Sequence, residues 1–190
     1  MQKQFSKTLM LMLILASLGA GCSSQNISKN SSVDVSRSGK SYDPCELITL
    51  ADFSADFPNQ TLTQDKHDTT ANAVGQKICF YGSKDDMYFV QLSIISNDDI
   101  PASKQANGLT AQSQYEQILS MIAGANSVDG IGDGAYYAGS GLRIGRGLSV
   151  LDNAHGVYFT IDIGLGVGND DQAKHLTMEK NLAQKVLERL

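Results

Sequence analysis

The stretch KICFYGSKDDMYFVQLSII, Lys77 to Ile95, decides the fold. Lys77–Tyr81 and Met87–Ile95 are rich in aromatic and β-branched residues, and Ser83-Lys84-Asp85-Asp86 between them is a turn, so the stretch reads as a β-hairpin. Side chains alternate across a strand. Tyr88, Val90, Leu92 and Ile94 therefore share one face, expected to be core, while Gln91 and Ser93 take the other.

Downstream, past a loop with Pro101, Thr110 caps a helix in which Tyr115, Ile118, Leu119 and Ile122 recur at helical spacing as a core stripe, and Gly124 stops it. A glycine-punctuated half follows. Its short strands are expected around Leu142 to Ile144 and Leu148 to Leu151, with a longer one at Val157 to Ile163 and a turn at Asn153-Ala154-His155-Gly156. A last helix starts near Asn169 to Asp171, with Met178, Leu182, Val186 and Leu190 along one face and Lys185 and Arg189 at its end.

Upstream, Asp43-Pro44-Cys45-Glu46 carries a cap, a first-turn proline and a glutamate three residues after the cap. Thr49 and Asp52 repeat the signal, Leu50, Phe53 and Phe57 share a face, and Pro58 ends the segment. Asn59 to Gly75 is polar and reads as an exposed loop. The order of elements is not a strict strand-helix repeat. It predicts an α+β domain, a mostly antiparallel sheet of about five strands packed by three helices, with one disulfide.

Ahead of this domain, Lys3 and Lys7 precede about ten nearly uninterrupted apolar residues from Leu9 to Leu18, followed by Leu18-Gly19-Ala20-Gly21-Cys22. That run has signal-peptide length and is too short to span a bilayer, which needs roughly 20 residues. It resembles the lipobox of bacterial lipoprotein signal peptides, which implies removal of residues 1–21 and a diacylglyceryl group on Cys22. Each buried methylene of such a group contributes about 0.8 kcal/mol, so several acyl chains anchor stably. The expected address is extracytoplasmic and lipid-anchored. With Ser23 after the cysteine, and not aspartate, the periplasmic face of the outer membrane is preferred in a two-membraned source.

Lipidation consumes Cys22 and leaves Cys45 and Cys79 as an even pair in an oxidising compartment, which predicts a disulfide between them. Ser23 to Ser41 holds eight serines in nineteen residues and too few apolar side chains to fold. Residues 22–42 are read as the lipidated cysteine and a flexible tether reaching roughly 25 Å by random-coil scaling. Residues 43–190 are read as one globular domain. Without residues 1–21 the chain has 13 basic against 20 acidic residues, a surface that repels nucleic acid.

Asp43-Pro44-Cys45-Glu46-Leu47-Ile48-Thr49, Cys79-Phe80-Tyr81 and Val128-Asp129-Gly130-Ile131-Gly132-Asp133-Gly134-Ala135 occur in that order. The series resembles a family of uncharacterised bacterial lipoproteins with D-P-C-x-L-L-T, C-x-Y and V-x-G-x-G-D-x-A motifs. Asp129 stands where that family usually has proline. The resemblance implies an extracytoplasmic α+β domain with one disulfide, and it brings no catalytic residues.

Gly139-Ser140-Gly141 with Gly145 has the composition of a phosphate loop but is flanked by strands instead of a helix, so turns are expected. His67, His155 and His175 lack metal-site spacing and are expected at the surface. Asp129 and Asp133 offer too few ligands for a calcium loop and suit tight turns. The residues that could meet a ligand are Asp129, Asp133, Tyr137, Arg143 and Arg146, where cationic and aromatic side chains concentrate. No metal, cofactor or catalytic group is implied. The expected partners are the bilayer, through acylated Cys22, and an unidentified envelope protein or small ligand. The expected role is a binding or assembly module, with an envelope hydrolase acting on a cell-wall or surface polymer as the alternative.

Overall fold

A computed structural model describes residues 38–85, 87–141 and 145–190. Cys22, Arg143 and the strand expected around Leu142 to Ile144 lie outside the described residues.

Seven strands form one sheet in which every pairing is antiparallel. They are β1 (Thr63–His67), β2 (Gln76–Gly82), β3 (Tyr88–Ser96), β4 (Asn126–Ser127), β5 (Gly134–Tyr137), β6 (Leu148–Asp152) and β7 (Val157–Leu165), in spatial order β1-β2-β3-β7-β6-β5-β4. Local turns join β1 to β3 and β4 to β7 into two meanders. The meanders meet where β3 runs against β7, from Tyr88 opposite Leu165 to Ser96 opposite Val157.

Alternation sorts the strand residues onto two faces. One face carries Val90, Leu92 and Ile94 of β3 with Phe159, Ile161 and Ile163 of β7, all buried. Over it pack α1 (Pro44–Leu47), α2 (Leu50–Phe53) and the long α5 (Gln172–Arg189). Met178, Leu182 and Val186 point into this core as expected, and Ala183 joins them. The opposite face is partly covered by α4 (Ala111–Met121), which sets Ala111 and Tyr115 against Tyr136, Leu151 and Tyr158 in a smaller cluster. A single turn, α3 (Ala102–Gln105), completes the five α-helices among the described residues.

Seven strands and five helices replace the expected five and three. β1, TQDKH, is an edge strand with every residue exposed, so it has no apolar alternation and reads as part of a polar loop. β4 has two residues and α3 only four, too short for any periodic signal. The Thr49–Asp52 capping box, in which Asp52 accepts from the Thr49 amide, makes α1 and α2 two helices. Leu50 and Leu119, expected on buried stripes, face solvent.

Three cross-links tie the segments that flank the sheet to it and to one another. Cys45 of α1 and Cys79 of β2 form the predicted disulfide, 34 residues apart in sequence. The buried Lys77 ammonium pairs with Asp99 at 2.9 Å and donates to the Ser41 hydroxyl and the Tyr42 carbonyl. Tyr42, the last residue of the expected tether, is only 2% exposed and belongs to the core. Arg189 grips Asp52 through both carboxylate oxygens, at 2.6 and 2.7 Å. That fork, above all, holds the Asp52 carboxyl well below the ordinary carboxylate range, against the effect of burial.

Replacing both Cys45 and Cys79 by alanine is expected to cost about 3–4 kcal/mol in urea unfolding, the loop-closure entropy of a bridge of this span. Arg189→Ala should cost about 1–2 kcal/mol at pH 7, discounted because the arginine is about one-third exposed. A depressed carboxyl contributes above its unfolded pKa and loses that contribution as pH falls. The gap between wild type and Arg189→Ala should therefore close in acid, in the same assay run from pH 7 down to pH 2.

Candidate functional site

On the face away from the main core, the central ladder of β3 and β7 gives four successive rungs. They are Phe89 with Gly164, Gln91 with Asp162, Ser93 with Thr160, and Ile95 with Tyr158. The two middle rungs are polar and the outer two mainly apolar. α4 crosses only one end, so the polar rungs floor an open trench of ≈ 280 Å³, walled by Ile95, Ile118 of α4 and the Gly145-Arg146 segment. Beyond its far end Phe80 and Phe89 stack with centroids 5.7 Å apart. Phe89 lies flat on Gly164, where a Cβ would come within 2.2 Å of the ring.

Most polar groups at the Tyr158 end satisfy one another. Thr160 Oγ1 donates to the Tyr158 hydroxyl at 3.2 Å and lies 3.1 Å from Ser149 Oγ. Gln76 Nε2 donates to Ser93 Oγ at 2.7 Å. The Gln91–Asp162 rung is different. Asp162 is 4% exposed, and its Oδ1 has no hydrogen-bond partner among the described residues. Burial pushes its carboxyl well above the usual range. Gly147, in the left-handed region at φ 75°, leaves the space that Asp162 occupies, because a Cβ there would stand 2.4 Å from Oδ1. Arg146 is exposed at the rim and donates Nη1 to the Ala138 carbonyl; no ion pair with Asp162 forms.

Glu179 lies on the other side of the sheet, fully buried on α5. β6 begins at Leu148 opposite Ile161, short of Ile163, and Glu179 Oε1 accepts from the Ile163 amide at 3.3 Å. Burial first, then the charge of Asp162, pushes its carboxyl up to about 9, while the Ile163 and Leu148 amides pull the other way. Its Oε2 is unpartnered among the described residues.

The residues singled out from sequence do not converge. Asp133 and Tyr137 sit at opposite ends of β5. Asp133 stabilises a turn by accepting from the Asn153 amide at 2.7 Å, and Asp129 lies in an exposed turn. Tyr137 is buried on the core face and donates its hydroxyl to Gln172 Oε1 at 2.8 Å. Burial first, and then Glu179 and Asp162, push its phenol up. Of the expected site residues that are described, only Arg146 reaches the trench. His175, expected at the surface, is 1% exposed, with Nδ1 2.8 Å from the Asp171 carbonyl in the first turn of α5. Asp43, Cys45 and His67 lie close enough together to suggest a metal, but the Cys45 sulfur is spent in the disulfide and His67 Nε2 bonds the Asp43 carboxylate at 2.7 Å.

Asp162 and Gln91 were not among the expected site residues. The signal was present in VYFTIDI, Val157 to Ile163, where Tyr158, Thr160 and Asp162 alternate with the apolar set. An acid on a strand with one wholly apolar face must meet either solvent or a built polar site. In comparisons with known proteins, no family model, no curated protein and no solved structure matches this chain.

A raised carboxyl pKa fixes the sign of a pH effect. Glu179 keeps its proton to about pH 9 when folded and loses it near its ordinary 4.5 when unfolded. Folding takes up a proton in that window, so stability falls as pH rises through it. Glu179→Gln is expected to flatten this slope and to gain about 1–3 kcal/mol at pH 8, read by urea unfolding across pH 5 to 9.

Proposed function

We propose that this chain is a membrane-anchored lipoprotein of the cell envelope whose α+β domain serves as a binding module on the extracytoplasmic side. The observation that carries the binding role is the trench on the open sheet face, floored by Gln91, Ser93 and Asp162, where the buried Asp162 Oδ1 is unpartnered among the described residues. The disulfide supports an oxidising compartment. No described helix is long and apolar enough to cross a membrane; attachment is assigned to the acyl group expected on Cys22. In a two-membraned cell the domain would sit at the periplasmic face of the outer membrane.

A hydrolase of envelope polymers needs two carboxyl groups, or a nucleophile and its base, that reach one substrate. Asp162 and Glu179 are the carboxyls with a buried, unpartnered oxygen among the described residues, and they lie on opposite faces of the sheet. That separation favours binding over hydrolysis.

The anchoring is tested by fractionating cells that express the full chain, alone and as Cys22→Ala, with mass analysis of the amino-terminal peptide. Wild type should sediment with membranes and carry an acyl mass on Cys22, and the variant should lose both. Wild type recovered in the soluble fraction with a free Cys22 thiol would refute the proposal.

A further inference from the structure

We propose that the trench binds the ammonium group of a small amine-bearing ligand, with Asp162 as its counter-charge. This inference rests on the reading of the domain as a binding module and names what it binds.

The floor of the trench already holds two amides, Gln76 and Gln91, and the hydroxyls of Ser93, Thr160 and Tyr158. Neutral hydrogen bonding is therefore well supplied, and an amide at position 162 would extend it without the cost of burying an ionisable group. What a carboxyl adds is negative charge. Among the described residues no cation pairs with Asp162, since Arg146 is committed to the Ala138 carbonyl at the rim. The positive charge is therefore assigned to the ligand.

The donor set fits an ammonium. Such a group has three N–H donors, and the floor offers an Asp162 carboxylate oxygen, Gln91 Oε1 on the same rung and Ser93 Oγ on the next. A hard divalent cation takes at least six oxygens, usually several of them charged, whereas the trench offers one carboxylate among neutral groups. Ile95 and Ile118 give the methylenes of an alkylamine an apolar wall. The volume, ≈ 280 Å³, lies at the small end of ligand pockets and restricts the guest to a few heavy atoms beyond the amine. An acidic chain draws cations toward it. Exposed Arg146 opposes the charge of Asp162 only at the rim.

Proton balance follows from the same geometry. The buried Asp162 carboxyl gives its proton to solvent as the ammonium enters, and the ligand keeps all of its own protons. Binding thus releases up to one proton per site.

The test uses full-length protein purified from whichever cell fraction holds it, with butylammonium, 1-butanol and glucose as probes. Thermal unfolding and calorimetric titration are run at pH 7 in two buffers of different ionisation enthalpy, neither a primary amine. Butylammonium should bind saturably, raise the melting temperature and show buffer-dependent heat, while 1-butanol and glucose should do none of these. Asp162→Asn should weaken butylammonium by about tenfold or more, as the loss of a charge-assisted contact requires, with a melting temperature no lower than wild type. Gln91→Met, at a half-buried position, should weaken it less. An absence of saturable butylammonium binding overturns the proposal, as does equal binding by Asp162→Asn, or by Gln91→Met should the asparagine variant not fold. Glucose binding that Gln91→Met weakens and Asp162→Asn does not would overturn the proposal and assign the trench to a neutral ligand instead. The acyl mass on Cys22 is read on the same preparation, so failure of the ligand assignment is distinguishable from failure of the anchoring.

Discussion

The pairing of β3 with β7 is the constraint on which the rest of this structure depends. It is the one pairing that joins the two meanders, and both strands lie in the interior of the sheet, with neighbours on either side. A slip of one residue along either strand would turn its buried apolar side chains toward solvent and its polar ones into the core. Burial of Val90, Leu92, Ile94, Phe159, Ile161 and Ile163 thus fixes the register. By the same act it sets Gln91 beside Asp162 on the other face. The packing that stabilises the fold also assembles the trench.

What was legible in the sequence was the part governed by local periodicity. The β2–β3 hairpin, the two-sided pattern of β3 and the stripe of α5 follow from spacing, and the disulfide from counting cysteines. β1 was illegible because an exposed edge strand obeys no apolar pattern. Leu119 was misplaced because α4 covers only one end of a sheet face, so part of its apolar stripe has nothing above it. His175 is buried by the position of α5 on the sheet, which no local window contains. The trench was half visible. The parity of Tyr158, Thr160 and Asp162 could be read, but the burial of Asp162 depends on Gly147, far off in neither sequence nor space yet in a segment whose path is set by tertiary packing. Arg146 and Tyr137 stand out together as a concentration of cationic and aromatic residues, but only Arg146 is exposed, because Tyr137 is on the core face of β5.

Asp162 and Glu179 weigh against stability. Two carboxyls buried without a base destabilise a domain whose net stability is only about 5–15 kcal/mol. The disulfide, the Lys77–Asp99 pair and the Asp52–Arg189 fork offset that cost from outside the trench. Local conflict inside a fold that is elsewhere self-consistent is the pattern expected where function competes with stability.

Outside the interior strands, which are four to nine residues long, the sheet has margins of a different character. β1 has no buried side chain, carries Asp65 and Lys66, and breaks register with β2 between Gln64 and Lys66, while β4 at the other margin has only two residues. Unpaired backbone at a sheet margin is a template onto which a foreign strand can grow, and charge, irregularity and brevity are the features that deny it one. A sheet finished in this way resists templated aggregation among crowded neighbours. Its margins are poor docking sites for an extended peptide, and the proposed binding role accordingly falls to the face of the sheet.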